Sequence, residues 1–149
     1  MPPAGSRSDP FTAFNFVVEI DGIAVAAFSE VSGLGSETEV IEYRTGDSKL
    51  GSTLKLPGLT KYPNIVLKRG LTRDLSLWQW RKTVVDGATE RRNGTIVLLA
   101  EDRTPVLRWR FRNGWPCKWE GPSLNARSRD IAIETLEIAH EGLELEGDR

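Results

Sequence analysis

Two pairs of carboxylates, Glu37 with Glu39 and Glu134 with Glu137, could carry acid–base or metal chemistry. Residues two apart in a strand, such as Glu37 and Glu39, share one face, as such chemistry would require. However, no histidine adjoins either pair, and the sequence has no glycine-rich phosphate loop, no GxSxG motif and no metal-ligand spacing. We interpret both pairs as solvated strand faces. We expect no catalytic residue, no metal and no cofactor, and hence no enzyme.

Cys117 and His140 are the single residues of their types. One cysteine cannot form an internal disulfide, and one cysteine with one histidine cannot complete a Cys/His zinc site within the chain. We expect Cys117 to behave as a small buried hydrophobe and His140 to be a surface or interface side chain.

The composition is typical of one globular domain. The chain has 149 residues, 39% hydrophobic and 28% charged, and 20 Lys plus Arg nearly cancel 21 Asp plus Glu. This balance gives neither a basic field for nucleic acid nor strong repulsion between identical copies. Residues 1–10 lack the apolar run of a signal peptide, and no stretch is apolar enough to span a membrane. We expect a flexible N-terminal arm at 1–10, one domain at 11–149, and a chain that is made and folded in the cytoplasm.

A period-two alternation through Phe16, Val18 and Ile20 predicts a strand that ends at the turn Asp21-Gly22. The hairpin buries one apolar face, which gives the core candidates Phe16, Val18 and Val25. The predicted cross-strand pairs are Ile20 with Ile23, Val18 with Val25, and Phe16 with Ala27.

A third strand is predicted at 36–45 and a short one at 64–69, with a long connection at 46–62 between them. This connection contains glycines and a proline, and it shows no helical period. Connections of this length are often functional. It also carries four leucines, more than a solvated loop needs. Either the connection folds back over the subunit's own core, or it joins another subunit.

One helix is predicted at 74–86, with Thr72 or Asp74 as its cap and Gly87 at its end. Two neighbouring apolar stripes run along it, and we expect it to pack on a sheet with Leu77 and Trp78 in the core. Its remaining surface could dock another subunit. The first stripe contains Leu75, Trp78, Lys82 and Val85, and the second contains Leu77, Trp80 and Val84.

The asparagine–glycine pairs predict two further turns, at Asn93-Gly94 and Asn113-Gly114. A strand follows the first, at 95–100. At the second, a three-residue loop separates apolar from charged side chains. It pairs Phe111 with Cys117 and Trp109 with Trp119. Trp109, Phe111 and Trp119 are core candidates. Arg108, Arg110 and Arg112 then share the other face.

The segment 127–145 has two phases of alternation, Ile131 with Ile133 and Leu136 with Ile138. A bent strand with a bulge near 134–135 reconciles them, and a short helix is the alternative.

In this order the parts of the chain resemble the tail-tube subunit family of contractile phages and phage-derived injection systems. The similarity covers nearly the whole chain without obvious insertions. The matching stretches are DPFTAFNFVVEIDGI, FSEVSGLGSETEVIEYRTG, KLPGLTKYPNIVLKRGLT, DLSLWQW, NGWPCKWEGPSLNA and IAIETLEIAHEGLEL.

The resemblance implies a mainly β fold with one flanking α-helix, an antiparallel sandwich or barrel. It implies hexameric rings in which each subunit contributes strands to a continuous inner β-barrel. The rings would stack into a hollow tube inside a contractile sheath, and the tube would be driven through a target envelope. The implied partners are further copies of the chain, sheath, baseplate and spike proteins, and DNA, protein cargo or a tape-measure protein in the lumen. The expected location is the bacterial cytoplasm, and later a phage tail or injection particle.

The resemblance also places the ring-to-ring contact in the connection after Tyr43. The expected contact residues are Arg44, Asp47, Lys49, Leu50, Leu54, Lys55, Leu56, Leu59 and Lys61. An inner wall should be polar, so that cargo can slide along it. The lumen candidates are Thr38, Glu42, Lys68, Arg108, Arg110 and Arg112; an ordinary solvated outer face is the equal alternative.

A small-molecule-binding β-barrel is the competing hypothesis. It requires an enclosed cavity, which the five tryptophans and five phenylalanines could line.

Overall fold

The computed structural model of the chain describes residues 15–26, 28–44, 46 and 53–147, without the side chains of 24–26. The described part is mainly β with one helix, and each strand pair in it is antiparallel, which confirms the expected fold class. The predicted N-terminal arm at 1–10, which is distinct from the arm defined below, lies outside the described residues. The elements are β1 Phe16–Ile20, β2 Ile23–Ala26, β3 Glu30–Ser32, β4 Glu37–Tyr43, β5 Leu54–Lys61, β6 Ile65–Gly70, α1 Ser76–Val85, β7 Arg92–Leu99, β8 Pro105–Glu120, β9 Ile133–Ala139 and β10 Gly142–Gly147.

Two sheets share the long strand β8. The first sheet has the order β2-β1-β7-β8-β10 and uses residues 107–112 of β8 for β10. The second sheet has the order β8-β9-β6-β3 and uses residues 115–120 of β8 for β9. Strands that bend from one sheet into another form the corners of such packings. The core fills the space between the sheets. The first sheet contributes Val18, Ile20, Ile96 and Phe111, and the second contributes Ile65, Leu67, Leu136 and Ile138. The helix adds Leu77 and Trp80.

The predicted hairpin at Asn113-Gly114 is wrong, because β8 continues through it. Asn113 has a φ of 51°, and the strand bends there instead of reversing. Phe111 therefore pairs with Gly94 and Leu143, not with Cys117. By the same register Trp109 pairs with Ile96 and Leu145, and Trp119 pairs with Leu136.

The predicted turn at Asn93-Gly94 is also wrong, since both residues lie inside β7. A Cβ atom on Gly94 would lie 2.4 Å from the Phe111 ring, and one on Gly114 would lie 2.5 Å from it. These two glycines make room for a core aromatic. Their role is close packing, not chain reversal.

The first hairpin turns at Asp21-Gly22 as predicted, with Gly22 at a φ of 76°. The pair Ile20–Ile23 is confirmed, but a register shift moves Val18 opposite Ala26, so the pair Val18–Val25 is wrong. The side chain of Val25 and the whole of Ala27 lie outside the described part of the chain.

The helix α1 is shorter than predicted, and Leu75 occupies its N-cap position without a side-chain hydrogen bond. Asp74 still contributes, because its Oδ1 accepts a bond of 3.0 Å from the Ser76 amide. Gly87 follows the helix at a φ of 81°, as predicted for a terminating residue. The helix lies against the edge of β8, where Arg81 Nη1 donates to the Pro116 carbonyl at 2.9 Å.

The bulge predicted near 134–135 is absent from β9, and the break instead falls at 140–141, between β9 and β10. Leu136 and Ile138 set the inward phase, while Ile131 and Ile133 are exposed.

The connection at 46–62 is only partly a loop, because 54–61 form β5. This strand pairs with β4 in a separate two-stranded sheet. Its strand was not predicted because Pro57 and Gly58 are residue types that disfavour strands. They lie where the β4–β5 register shifts, a position that tolerates both residues. We call β4 and β5 together the arm.

Candidate assembly surfaces

The arm continues the second sheet beyond one end of its strands β3 and β6. β3 pairs with β6 inside that sheet, and β4 pairs with β5 outside it. The chain crosses between the two pairs at 33–36 and at 62–64. Gly33 has a φ of 87°, and a Cβ atom there would lie 2.0 Å from the Asn64 carbonyl oxygen. Only glycine fits this close approach of the two crossing segments.

His140 connects the base of the arm, which these crossing segments form, to the rest of the domain. Its Nδ1 lies 3.1 Å from the Gly142 carbonyl oxygen, and its Nε2 lies 3.1 Å from that of Pro63. The ring of Tyr62 lies 5.6 Å from the imidazole, between ring centres. His140 therefore joins the β9–β10 break to the base of the arm.

The arm has one apolar face. Ile41 pairs with Leu56, and Tyr43 pairs with Leu54, so these four side chains point the same way. Each is between 45% and 59% exposed, and nothing in the described part of the chain covers them. The expectation that something covers the leucines is thus not met within one subunit, and for the described leucines a flap over the subunit's own core is wrong.

The opposite face of the arm is mainly polar, with Val40 and Pro57 as its one apolar pair. Glu42 pairs with Lys55 there, and the hydroxyls of Thr38 and Thr60 lie 3.0 Å apart. Of the predicted ring-contact residues, Leu54 and Leu56 thus lie on the apolar face and Lys55 on the polar one.

The other predicted contact residues lie at the ends of the arm or outside the described ranges. Leu59 is exposed at the register shift, Lys61 pairs with Glu37 near the base of the arm, and Arg44 directly follows β4. Asp47, Lys49 and Leu50 are outside the described residues.

The six lumen candidates fall on three different surfaces. Thr38 and Glu42 belong to the arm. Lys68 faces outward from the second sheet, where its Nζ lies 3.7 Å from a carboxylate oxygen of Glu30. The three arginines follow in β8, on the outward face of the first sheet: Arg108, Arg110 and Arg112. Since the outward faces of two packed sheets point in opposite directions, one channel cannot receive all six from one subunit.

Three of the eight predicted core residues are fully buried. Val18, Leu77 and Phe111 are at most 2% exposed, and the cluster they form is flanked by partly buried Phe16, Trp109 and Trp119. Trp78 is wrong as a core residue, because it is 40% exposed. It packs edge-on against Trp119 at 5.6 Å between ring centres, at the border of the core.

A buried ion pair was missed in the sequence. Arg69 is 2% exposed and Glu134 5%, and Arg69 Nε donates to Glu134 Oε1. Arg69 also donates through Nη2 to the Asp74 carbonyl at 3.0 Å and lies 3.7 Å from the Asp74 carboxylate. Glu134 is therefore not the solvated residue we expected. Its period-two spacing from Leu136 and Ile138 was the signal.

Cys117 is half-buried in β8, and its thiol donates to the Glu137 carbonyl at 3.5 Å. Burial, followed by the nearby Glu137 charge, raises the pKa of the Cys117 thiol. The residue is thus a partly buried thiol and not an activated nucleophile.

Within 15–147, as far as described, no group of three His, Cys, Asp or Glu residues could hold a metal ion. A depression of 320 Å³ lies on the first sheet, and Phe111 is the one aromatic among the described residues that line it. Exposed polar side chains form most of its wall, unlike the aromatic cavity that a ligand-binding barrel requires. Of the described helical residues, no run is long and apolar enough to cross a membrane.

A β-sandwich whose arm has an apolar face that no described residue covers is the form expected of a subunit that assembles with other copies. The chain belongs to the T4-like virus tail tube protein gp19 family, whose model matches residues 12–144. This confirms the resemblance inferred from the sequence and the structural tube role that it implied. No curated protein sequence matches the chain.

Solved structures of injection particles contain similar chains. One is in the 6-fold symmetrised cryo-EM structure of the anti-feeding prophage (AFP) baseplate, with 28% identity, a TM-score of 0.85, and 95% of this chain and 98% of that chain covered. Another is in the extended sheath–tube complex of an extracellular contractile injection system, PVC, with 28% identity, a TM-score of 0.83 and 93% of each chain covered.

A more distant likeness shows the fold alone. Hcp1 from Flavobacterium johnsoniae has 15% identity and a TM-score of 0.57, with 91% of this chain and 97% of that chain covered.

Proposed function

We propose that copies of this chain form hexameric rings that stack into the inner tube of a contractile phage tail or injection particle. The observation that carries this proposal is the apolar face of the arm, which no described residue covers: Ile41, Tyr43, Leu54 and Leu56. Clustered apolar side chains on a projecting hairpin gain free energy when a partner covers them. The family and the 6-fold symmetry of the AFP baseplate structure support six copies per ring.

Ring closure requires free sheet edges on each subunit. In the first sheet the outermost strands are β2 and β10. Leu145 of β10 is on the same face of the sheet as Trp109 and Ile96, yet it is 59% exposed. A neighbouring subunit beside β10 would cover this side chain and occupy the open edge. We therefore assign the flank at β10 to the contact within a ring.

The lumen should be lined by a polar sheet face whose charges are already paired. Lys68 with Glu30 on the second sheet and Arg110 with Glu146, at 3.2 Å on the first, both satisfy this condition. Paired charges hold a passing polymer weakly, so DNA, protein cargo or a tape-measure protein could slide past. Cysteines placed at 68 and 110 in assembled tubes would distinguish the two faces. The lumen position reacts with a small thiol reagent but not with a bulky one.

The remaining partners follow from the same role. The exposed helix stripe with Leu75, Trp78 and Val85 is a surface for a sheath, baseplate or spike protein. Sheath and tube occur together in the PVC structure that contains a similar chain. Assembly would take place in the bacterial cytoplasm, and the role requires no catalysis.

Deleting 47–59 tests the function of the arm. We expect folded subunits or rings that no longer stack, because the sheet core between β1 and β10 does not include the arm. Circular dichroism reports the fold, and negative-stain electron microscopy reports the assembly. Long tubes from the deletion variant would refute the role of the arm as the joint between rings.

A further inference from the structure

The end of the second sheet farthest from the arm carries an exposed apolar surface. Leu71 follows β6, Leu124 follows β8, and Ile131 and Ile133 lead into and begin β9. Leu124 and Ile131 are 81% and 79% exposed, and both line a depression of 260 Å³. The Leu71 amide donates to the Ala132 carbonyl at 2.9 Å, which holds two of these segments together. We call Leu71, Leu124, Ile131 and Ile133 the far-end patch.

The arm and the far-end patch lie at opposite ends of the same strand. β6 begins at Ile65, directly after the base of the arm, and it ends at Gly70, directly before Leu71. Six residues span roughly 20 Å at about 3.3 Å each. In a stack of copies with one orientation and with β6 along the stacking axis, the arm end of each copy meets the far end of the next.

Charges flanking the two surfaces have opposite signs. Glu39 shares the apolar face of the arm with Ile41, since a Cβ atom on Gly58 would lie 3.2 Å and 3.1 Å from their side chains. Glu37 continues that row by two residues, but Lys61 of β5 lies opposite it, so Glu39 is the acidic residue that flanks the apolar face. The far-end patch is flanked by exposed arginines: Arg73, Arg127 and Arg129. Of the nearby acids, Asp74 already faces Arg69 and Asp130 is exposed.

We infer that the apolar face of the arm of one copy docks on the far-end patch of a second copy, with Glu39 beside the arginines. This inference rests on the proposed tube function and names the acceptor for the arm. The contact is head-to-tail, which by itself extends a stack without closing it. Opposite charges at its rim fix which ends meet and disfavour contacts between like ends.

Ile131→Asp tests the acceptor. Because Ile131 is so exposed, the single subunit should keep its fold, and rings should still form. Burying a carboxylate in the contact should lower the fraction of protein in pelletable tubes at least about tenfold. Thr89→Asp, at an exposed position after α1 that belongs to none of the assigned surfaces, is the control and should leave tubes intact.

A charge exchange tests the pairing itself. Glu39→Arg and the double variant Arg127→Glu with Arg129→Glu should each shorten tubes seen by electron microscopy, and all three changes together should restore them. Tubes of normal length from Ile131→Asp, or no restoration by the combined variant, would overturn the acceptor assignment. Failure of the unaltered protein to form rings or tubes would instead refute the proposed function.

Discussion

Arg69 and Glu134 place two charges in the interior of a domain whose other core residues are apolar. The pair joins β6 to β9, and Arg69 extends this link to Asp74 just before α1. Its arrangement with two acidic partners compensates the cost of removing a guanidinium from water. The pair therefore fixes the end of the second sheet relative to the helix.

Glu134→Ala should destabilise the subunit by about 3 kcal/mol, because it leaves the buried Arg69 charge with one weaker partner. The free energy of unfolding from urea titration measures this loss. Glu144→Ala, at an exposed position of β10, is the control and should cost less than about 1 kcal/mol. Equal small losses for both variants would show that the buried pair contributes nothing particular.

Asp74 predicts a pH dependence of stability. The hydrogen bond from the Ser76 backbone amide lowers the pKa of Asp74 below its usual value, and Arg69 acts in the same direction. A lowered folded-state pKa gives stability that is present above the unfolded pKa and lost as the pH falls through the folded one. The stability difference between the unaltered protein and Asp74→Asn should thus shrink between about pH 6 and about pH 2. A difference independent of pH would contradict this prediction.

Sequence reasoning at the residue scale succeeded where period two was clear and a single face was apolar. Val18, Leu77 and Phe111 are core residues as predicted. It failed at Trp78, because the two apolar stripes of the helix are adjacent and only packing selects between them. It failed at Glu134, because the residue was predicted to be solvated on the ground of its charge, although it alternates in phase with the buried Leu136 and Ile138.

At the scale of elements, the arm combines an apolar face and a mainly polar face in only two strands. Such a hairpin is marginal by itself in water, and a partner surface supplies what it lacks. The same strands carry leucines that predicted a joint and polar residues that predicted a lumen. In the structure the leucines and the polar residues lie on different faces. The sequence pattern predicted an irregular loop at 46–62, in which faces cannot be assigned.

Leu56→Asp tests the apolar face directly. The subunit's melting temperature should change little because Leu56 is exposed, whereas sedimentation should show that tubes are lost. Lys55→Ser, on the adjacent polar position of β5, is the control and should form tubes. Loss of tubes with both variants, or with neither, would contradict the assignment of the two faces.

Element prediction failed at Asn113-Gly114 and Asn93-Gly94 for one reason. Asparagine–glycine is a strong local turn signal, but here β7, β9 and β10 supply long-range partners on both sides of the bend in β8. The glycines are required by the Phe111 ring, a contact far apart in sequence. Local chemistry cannot reveal such a requirement.

At the scale of the whole molecule, the surfaces are arranged along two directions. The open strand edges of the first sheet lie at its flanks, where neighbours in a ring would meet. The arm and the far-end patch lie at opposite ends of the second sheet, where successive rings would meet. The order of segments along the sequence identified the family, and only the fold separates these two directions.

Cryo-electron microscopy of the purified protein at high concentration tests this account most directly. We predict rings with six-fold symmetry that stack into hollow tubes, with the arm of each subunit covered by a subunit of the next ring. A protein that remains a monomer at every concentration, with Ile41, Tyr43, Leu54 and Leu56 still open to solvent, would contradict it.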